Sequence, residues 1–229
     1  MRAISVITSG RTAMALIPSP TLANPDLFIF LLPTDFRGYY PGYSVKSAEA
    51  KSSMTWAILK THSQNRGGKV QLKDLDPTSM PIINFNYYED GTDANGVALN
   101  GDESLLNPDL EAVVNGVEFV RGIVQDANVA IALSDIWTDL PEGPVGLFNP
   151  YFKESVPGTS INNRAKTREW VRRNSWGHHA CGTCKMGKVS DPMAVVDSKF
   201  QVIGTKSLRI VDASVFPRIP GYFIASSIY

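Results

Sequence analysis

Apolar and polar positions along the first half of the chain follow strand periods. Residues 26–33 enclose an unbroken apolar run, Leu-Phe-Ile-Phe-Leu-Leu, bounded by Pro25 and Pro33, as in a buried strand. Residues 54–60 carry an apolar series on each face, which suits a strand covered on both sides. Residues 69–73 alternate through Val70 and Leu72, and residues 81–88 through Ile83, Phe85 and Tyr87. Gly67-Gly68 and the Asp-Pro-Thr-Ser-Met-Pro stretch at 76–81 supply the turns between them. Turn-linked alternating strands predict an antiparallel sheet over residues 26–88 with one face covered.

The period then changes to that of a helix. Asn107-Pro108-Asp109 places Asn at an N-cap, Pro at the first helical position and a carboxylate in the first turn. Leu110, Val113, Val114, Val117, Val120 and Val124 follow as one apolar stripe. Residues 133–159 hold four prolines and no clear period, which reads as a long connecting excursion. Residues 163–173 predict a second helix, with Lys166, Arg168, Arg172 and Arg173 on a solvated face. In the last quarter, residues 195–197, 200–203 and 208–211 are short strand-like runs. The third is apolar enough for a buried parallel strand, and Asp212-Ala213-Ser214 follows it where α/β folds place ligand contacts.

Composition narrows the partners. Lys plus Arg (22) equals Asp plus Glu (22), so the basic excess of a nucleic-acid binder is missing. The longest apolar run is strand-sized, too short for a membrane span. Ser5, Thr8, Ser9, Gly10 and Arg11 interrupt the N-terminus too early for a secretory leader, so no signal peptide is expected, and the compartment stays open. A small molecule is the expected partner.

Reactive side chains concentrate at residues 176–187, Trp-Gly-His-His-Ala-Cys-Gly-Thr-Cys-Lys-Met-Gly, which hold two of the three histidines and both cysteines. Three readings stand here. Cys181 and Cys184 form a CxxC, a thiol pair or half a zinc site. The two cysteines could equally be buried in a tight Gly-containing turn. A histidine could instead be a general base held by a rigid turn.

The segment resembles the C-terminal signature of the glucose-methanol-choline oxidoreductase family. That signature, His-x-x-Gly-Thr-x-x-Met-Gly, is matched by His179, Gly182, Thr183, Met186 and Gly187. The family's next blocks are matched by Val195-Val196-Asp197 and by Leu208-Arg-Ile-Val-Asp212-Ala-Ser-Val-Phe-Pro217. The segments PDLFIF, FRGYYPG, NRGGKVQL and PIINFNYY are also similar to the family's substrate domain. The resemblance implies FAD-dependent oxidation of an alcohol to a carbonyl compound, with no metal. By motif, His179 is the base and His178 packs or contacts the flavin. Asp212 and Ala213 match positions that approach the flavin, and Gly221, Tyr222 and Phe223 join them as cofactor contacts.

Two departures accompany the resemblance. Where the family often carries His or Asn after the final Pro, this chain offers Tyr222, as a catalytic partner or a packing ring. The family's opening Gly-rich fingerprint, G-x-G-x-x-G, does not occur, and the chain ends at Ile228-Tyr229 where the family continues into a closing helix. The sequence therefore reads as a fragment or a truncated product. The expected fold is α+β, with residues 1–160 a substrate-binding domain of antiparallel sheet and helices. Residues 161–229 are expected to be the C-terminal part of an incomplete, Rossmann-like FAD-binding domain. A non-catalytic module that no longer holds flavin is the rival function, and a CxxC redox or zinc protein a third.

Overall fold

The computed structural model describes residues 5–9, 12–18, 25–50, 52–64, 67–88, 107–137 and 151–229; for 5–9, 12–18 and 132–137 it describes the backbone alone. Four antiparallel strands pair in sequence order: β1 (Ser5–Ser9), β2 (Thr12–Pro18), β3 (Pro25–Leu32) and β4 (Thr55–Lys60), with the short helix α1 (Tyr43–Glu49) between the last two. The apolar run of 26–33 is the buried strand expected, with Leu27, Phe28 and Ile29 shielded from solvent. Strands β1 and β2 form the hairpin that covers the other edge of β3.

β3 and β4 pair Leu27 with Lys60, Ile29 with Ile58 and Leu31 with Trp56. Side chains alternate between sheet faces, so this register sorts the strands into two surfaces. Leu27 and Ile58 meet α2 (Pro108–Trp137), whose Gly116 lies directly against them. Phe28 and Phe30 point the other way, onto Phe223 near the C-terminus. One face of the sheet is core; the other carries the candidate site.

Helix α2 starts as its sequence implies, with the Asn107 side chain accepting from the N–H groups of Asp109 (3.0 Å) and Leu110 (3.1 Å). Leu110, Val114 and Val117 are buried with Val171 of α3 (Arg164–Asn174), and each such side chain contributes about 1.5–3 kcal/mol. Lys60, its side chain 11% exposed, fastens the start of α2 to the sheet. Its ammonium is bound to buried Asp26 on β3, reaches Asp109 at 3.2 Å and donates to the His62 carbonyl at 2.6 Å. Asp109 also accepts from Ser63 Oγ and the Gln64 N–H, both at 2.8 Å. A largely buried ammonium with this many partners is costly to disturb from either side.

Several expectations need correction. Helix α2 runs through Trp137, into residues assigned to the connecting excursion. The first proline there is Pro141, so nothing breaks the helix at 133. The rest of that excursion to residue 150 lies outside the described residues. Helix α3 appears as predicted, capped by Asn163, but Arg168 is not merely solvated. It and Arg164 grip Glu111 of α2. Burial alone would push the Glu111 carboxyl up, yet the two guanidinium groups outweigh it and hold it below its usual range.

The sheet over 26–88 is not continuous. β5 (Lys69–Gln71) and β6 (Ile82–Asn84) pair only with each other, and Val70, Ile82 and Ile83 stay exposed. Asp74 and Asp76 explain why the ladder stops. Their carboxylates take the N–H groups of Asp76 (3.0 Å) and Thr78 (2.9 Å), so side chains replace cross-strand bonds.

The C-terminal runs also fall short of strands. Val196 bridges Met186 and Val202, and Gln201 bridges Arg209, one pair at a time. The Asp197 side chain accepts from the Lys199 and Gln201 N–H groups, and Phe200 and Ser207 have positive φ, so the backbone turns before a ladder can grow. Val211 is 72% exposed, as expected of a strand-like run whose flanking strands are not among the described residues. The observed architecture is mixed helix and small antiparallel sheets. One helical turn, α4 (Ala225–Ile228), precedes Tyr229.

The contact of α2 with the sheet gives a paired test. A Cβ at Gly116 would stand 2.7 Å from Ile58 Cγ2 and 3.1 Å from Leu27 Cδ1, on side chains with little room to rotate. Gly116→Ala should destabilise the chain by about 1–3 kcal/mol through overpacking. Gly122→Ala, facing open space on the same helix, should stabilise it by up to about 1 kcal/mol. Thermal melts of the two variants on opposite sides of the parent are the expected result.

Candidate active site around the paired histidines

The two C-terminal motifs lie side by side because their backbones bond directly. The N–H groups of Gly182, Cys184 and Met186 donate to the carbonyls of Ala213 (3.2 Å), Ser214 (2.9 Å) and Val215 (2.8 Å). Every second residue of the signature is thus tied to the short 3-10 turn Ala213–Val215. Gly182 needs its glycine: φ is +84°, and a Cβ would approach the Phe216 carbonyl at 3.4 Å. Asp212 caps the turn, its Oδ1 accepting from the Ser214 N–H at 2.8 Å and from its hydroxyl. These bonds to Ser214 hold the Asp212 carboxyl below its usual range.

Upstream, residues 175–178 are clamped by aromatic side chains. Tyr88 hydroxyl lies 2.9 Å from Ser175 Oγ, and a Cβ at Gly177 would come within 2.7 Å of the Tyr87 hydroxyl. Trp176 lies on Gly38, and its ring stacks on His178 at 5.4 Å. Tyr39 meets His178 from another direction at 5.1 Å, edge-on. Phe36 and Tyr43 complete this cluster.

His179 takes a different environment from its neighbour. Its ring lies 4.3 Å from His178 and 5.5 Å, edge-on, from Phe223. Burial, and then the nearby charge of His178, push its pKa below that of an ordinary histidine. At neutral pH His179 is therefore an uncharged imidazole, able to accept a proton. Phe223 connects it to the sheet, packing edge-on against Phe28 at 5.5 Å.

The residues singled out by sequence distribute around this point unevenly. His178, His179 and Phe223 meet directly. Gly221 and Tyr222 adjoin Phe223, but the Tyr222 ring faces Phe28 (6.1 Å) and His62 (6.0 Å). Asp212 and Ala213 reach the histidines through the backbone bonds of the signature. Sequence reasoning passed over His62, Tyr39, Tyr87 and Tyr88. Their roles depend on contacts across 87 or more residues in the case of Tyr88 and Ser175, which no local spacing announces. Cys181 and Cys184 are free thiols, and burial pushes the Cys181 thiol up, away from the reactive thiolate. Among the described residues no group of three or more His, Cys, Asp or Glu could hold a metal ion.

The imidazole environment yields a titration test. NMR titration of the 229-residue chain should show His179 gaining its proton at a lower pH than an ordinary histidine. Substituting His178→Gln removes a cation that opposes protonation, so the His179 midpoint should rise. An unchanged midpoint would mean that the two rings do not sense each other.

Comparison with known proteins identifies the family of the chain. The family model described as GMC oxidoreductase, for the C-terminal portion, matches residues 63–229. The glucose methanol choline oxidoreductase atC of Aspergillus terreus is 33% identical over 180 residues, 78% of this chain and 23% of that protein. An oxygen-dependent choline dehydrogenase of Brucella anthropi is 30% identical over 199 residues, 85% of this chain and 28% of that protein. The chain thus spans less than a third of the length of either relative. Two solved structures share the fold. Pyridoxine 4-oxidase from Mesorbium loti matches with a TM-score of 0.56 at 21% identity, over 94% of this chain and 35% of that one. A fungal aryl-alcohol oxidase matches at 0.51 and 21%, over 90% of this chain and 26% of that one. With the family model covering most of its residues, the chain belongs to the GMC oxidoreductase family and carries that family's C-terminal portion.

Proposed function

We propose that this chain serves the FAD-dependent oxidation of an alcohol CH–OH group to a carbonyl, with His179 accepting the hydroxyl proton. Membership of the family supplies the class of reaction, and the relatives named above as a dehydrogenase and as oxidases agree with it. The observation that carries the residue assignment is the partly buried imidazole of His179, set against His178 and Phe223 beside exposed ring surface, where burial lowers its proton affinity.

The chemistry follows from charge. A hydride leaves a carbinol carbon reluctantly while the oxygen keeps its proton. An imidazole nitrogen that takes this proton builds negative charge on the oxygen and makes the hydride a better donor. When bound, FAD would supply the two-electron acceptance that no side chain here offers. The residues present fit a flat ring system. Phe223 is 43% exposed and Trp176 50% exposed, and both histidine rings pack against aromatic side chains and each other.

In this reading His178, Gly221, Tyr222 and Phe223 would hold the ring end of the cofactor, with Asp212 and Ala213 as further contacts. Residues 1–160 form the substrate side and residues 161–229 the cofactor side. Tyr222 acts by packing, because its ring contacts are Phe28 and His62. His178 is stacked on Trp176 and orients the pair rather than carrying the proton.

Substitution separates the two histidines. In the full-length protein, His179→Ala should lower turnover about 10² to 10⁴-fold, the span of a lost general base, with flavin absorbance unchanged. His178→Ala should instead lower flavin content or thermal stability. Equal and small losses of turnover at both positions would contradict the assignment and favour a non-catalytic binding module.

A further inference from the structure

The third histidine sits across the C-terminal segment from the other two. His62 follows β4, and its carbonyl is held by the Lys60 ammonium at 2.6 Å, so its backbone belongs to the most firmly tied part of the sheet. Its ring lies against Gly221: a Cβ there would fall 2.5 Å from Cε1 and 3.2 Å from each ring nitrogen. The same ring meets Tyr222 edge-on at 6.0 Å.

The backbone at this point is unusual. Gly221 has φ +95° and Tyr222 φ +50°, two left-handed residues in succession. For a tyrosine that conformation costs roughly 1–2 kcal/mol and persists only where the surroundings impose it. His62 and Phe28 are among those surroundings, both packed edge-on against the Tyr222 ring, at 6.0 and 6.1 Å. The turn they impose delivers Phe223 to His179. Without a ring at position 62, Gly221 and Tyr222 would relax toward ordinary φ, and Phe223 would no longer cover the imidazole.

We infer that His62 is a positioning residue for the site: its ring, seated on Gly221 and Tyr222, sets the turn that packs Phe223 against His179. The inference rests on the proposed role of His179 for its catalytic consequence, while its structural part stands on contacts alone. Lys60, through the His62 carbonyl, makes the buried salt bridges of the sheet part of the same chain of contacts.

The His179 imidazole reports on this arrangement directly, because Phe223 is part of what shields it from water. In NMR titrations of the 229-residue chain, His62→Ala should raise the His179 midpoint as its cover loosens. His62→Phe, which keeps a flat ring, should leave the midpoint where the parent has it. Gly221→Ala, whose methyl would expel the His62 ring, should raise it. If His62→Ala does not fold, His62→Gln gives the same comparison, with bulk but no ring. An unchanged midpoint in the ring-less variant overturns the inference. In the full-length protein the same variant should lose roughly 10 to 100-fold in kcat, as expected of a misplaced base. A shifted midpoint with turnover insensitive to His179→Ala would sink the proton-acceptor assignment and leave the positioning role standing. A fixed midpoint with turnover sensitive to His179→Ala would do the reverse.

Discussion

The three main-chain hydrogen bonds from Gly182, Cys184 and Met186 to residues 213–215 set the geometry on which the site depends. Each contributes only about 0.5–1.5 kcal/mol net, so their importance is positional more than energetic. Because they use backbone alone, they leave the side chains of both motifs free for other contacts. They bring two motifs, separated in sequence, to one place: His178-His179 enters the ladder at one end, and the segment leading to Phe223 leaves from the other. Gly182 is the residue this arrangement least tolerates losing, since its φ of +84° is one that residues with a side chain rarely adopt.

The sheet contributes by having two unlike faces. Its core face is fixed by α2 and by Lys60, held between Asp26 and Asp109. Its other face offers Phe28 and Phe30 as a wall against which Phe223 packs. The consequence for His179 is partial burial, which discourages its charged form. Stability on one side of the sheet and proton affinity on the other are thus connected through strand alternation.

Much of this was legible in the residues. The apolar run of 26–33, the Asn107 cap, the stripe from Leu110 and the Asn163 helix start each rest on local rules, and each element appears. The site's signature was legible through family resemblance, with Gly182 and Gly187 at its turns. What failed were expectations that needed neighbours. Residues 208–211 look like a buried strand by composition, but Ser207 and the Asp197 turn prevent a ladder. Arg168 reads as solvated until Glu111 is placed opposite it by α2. His62 carries no motif at all. Tertiary packing against Gly221 and Tyr222 gives its ring partners.

The central claim is that the His179 imidazole, and not His62, His178 or Tyr222, receives the hydroxyl proton. The pH dependence of flavin reduction by substrate, followed in single turnover with the full-length protein, tests it most directly. The account predicts a rate that falls toward acid as His179 becomes protonated, with the fall centred below the pH of an ordinary histidine. In His179→Asn the acid limb should vanish along with most of the rate. An acid limb that survives unchanged in His179→Asn would place the proton acceptor elsewhere.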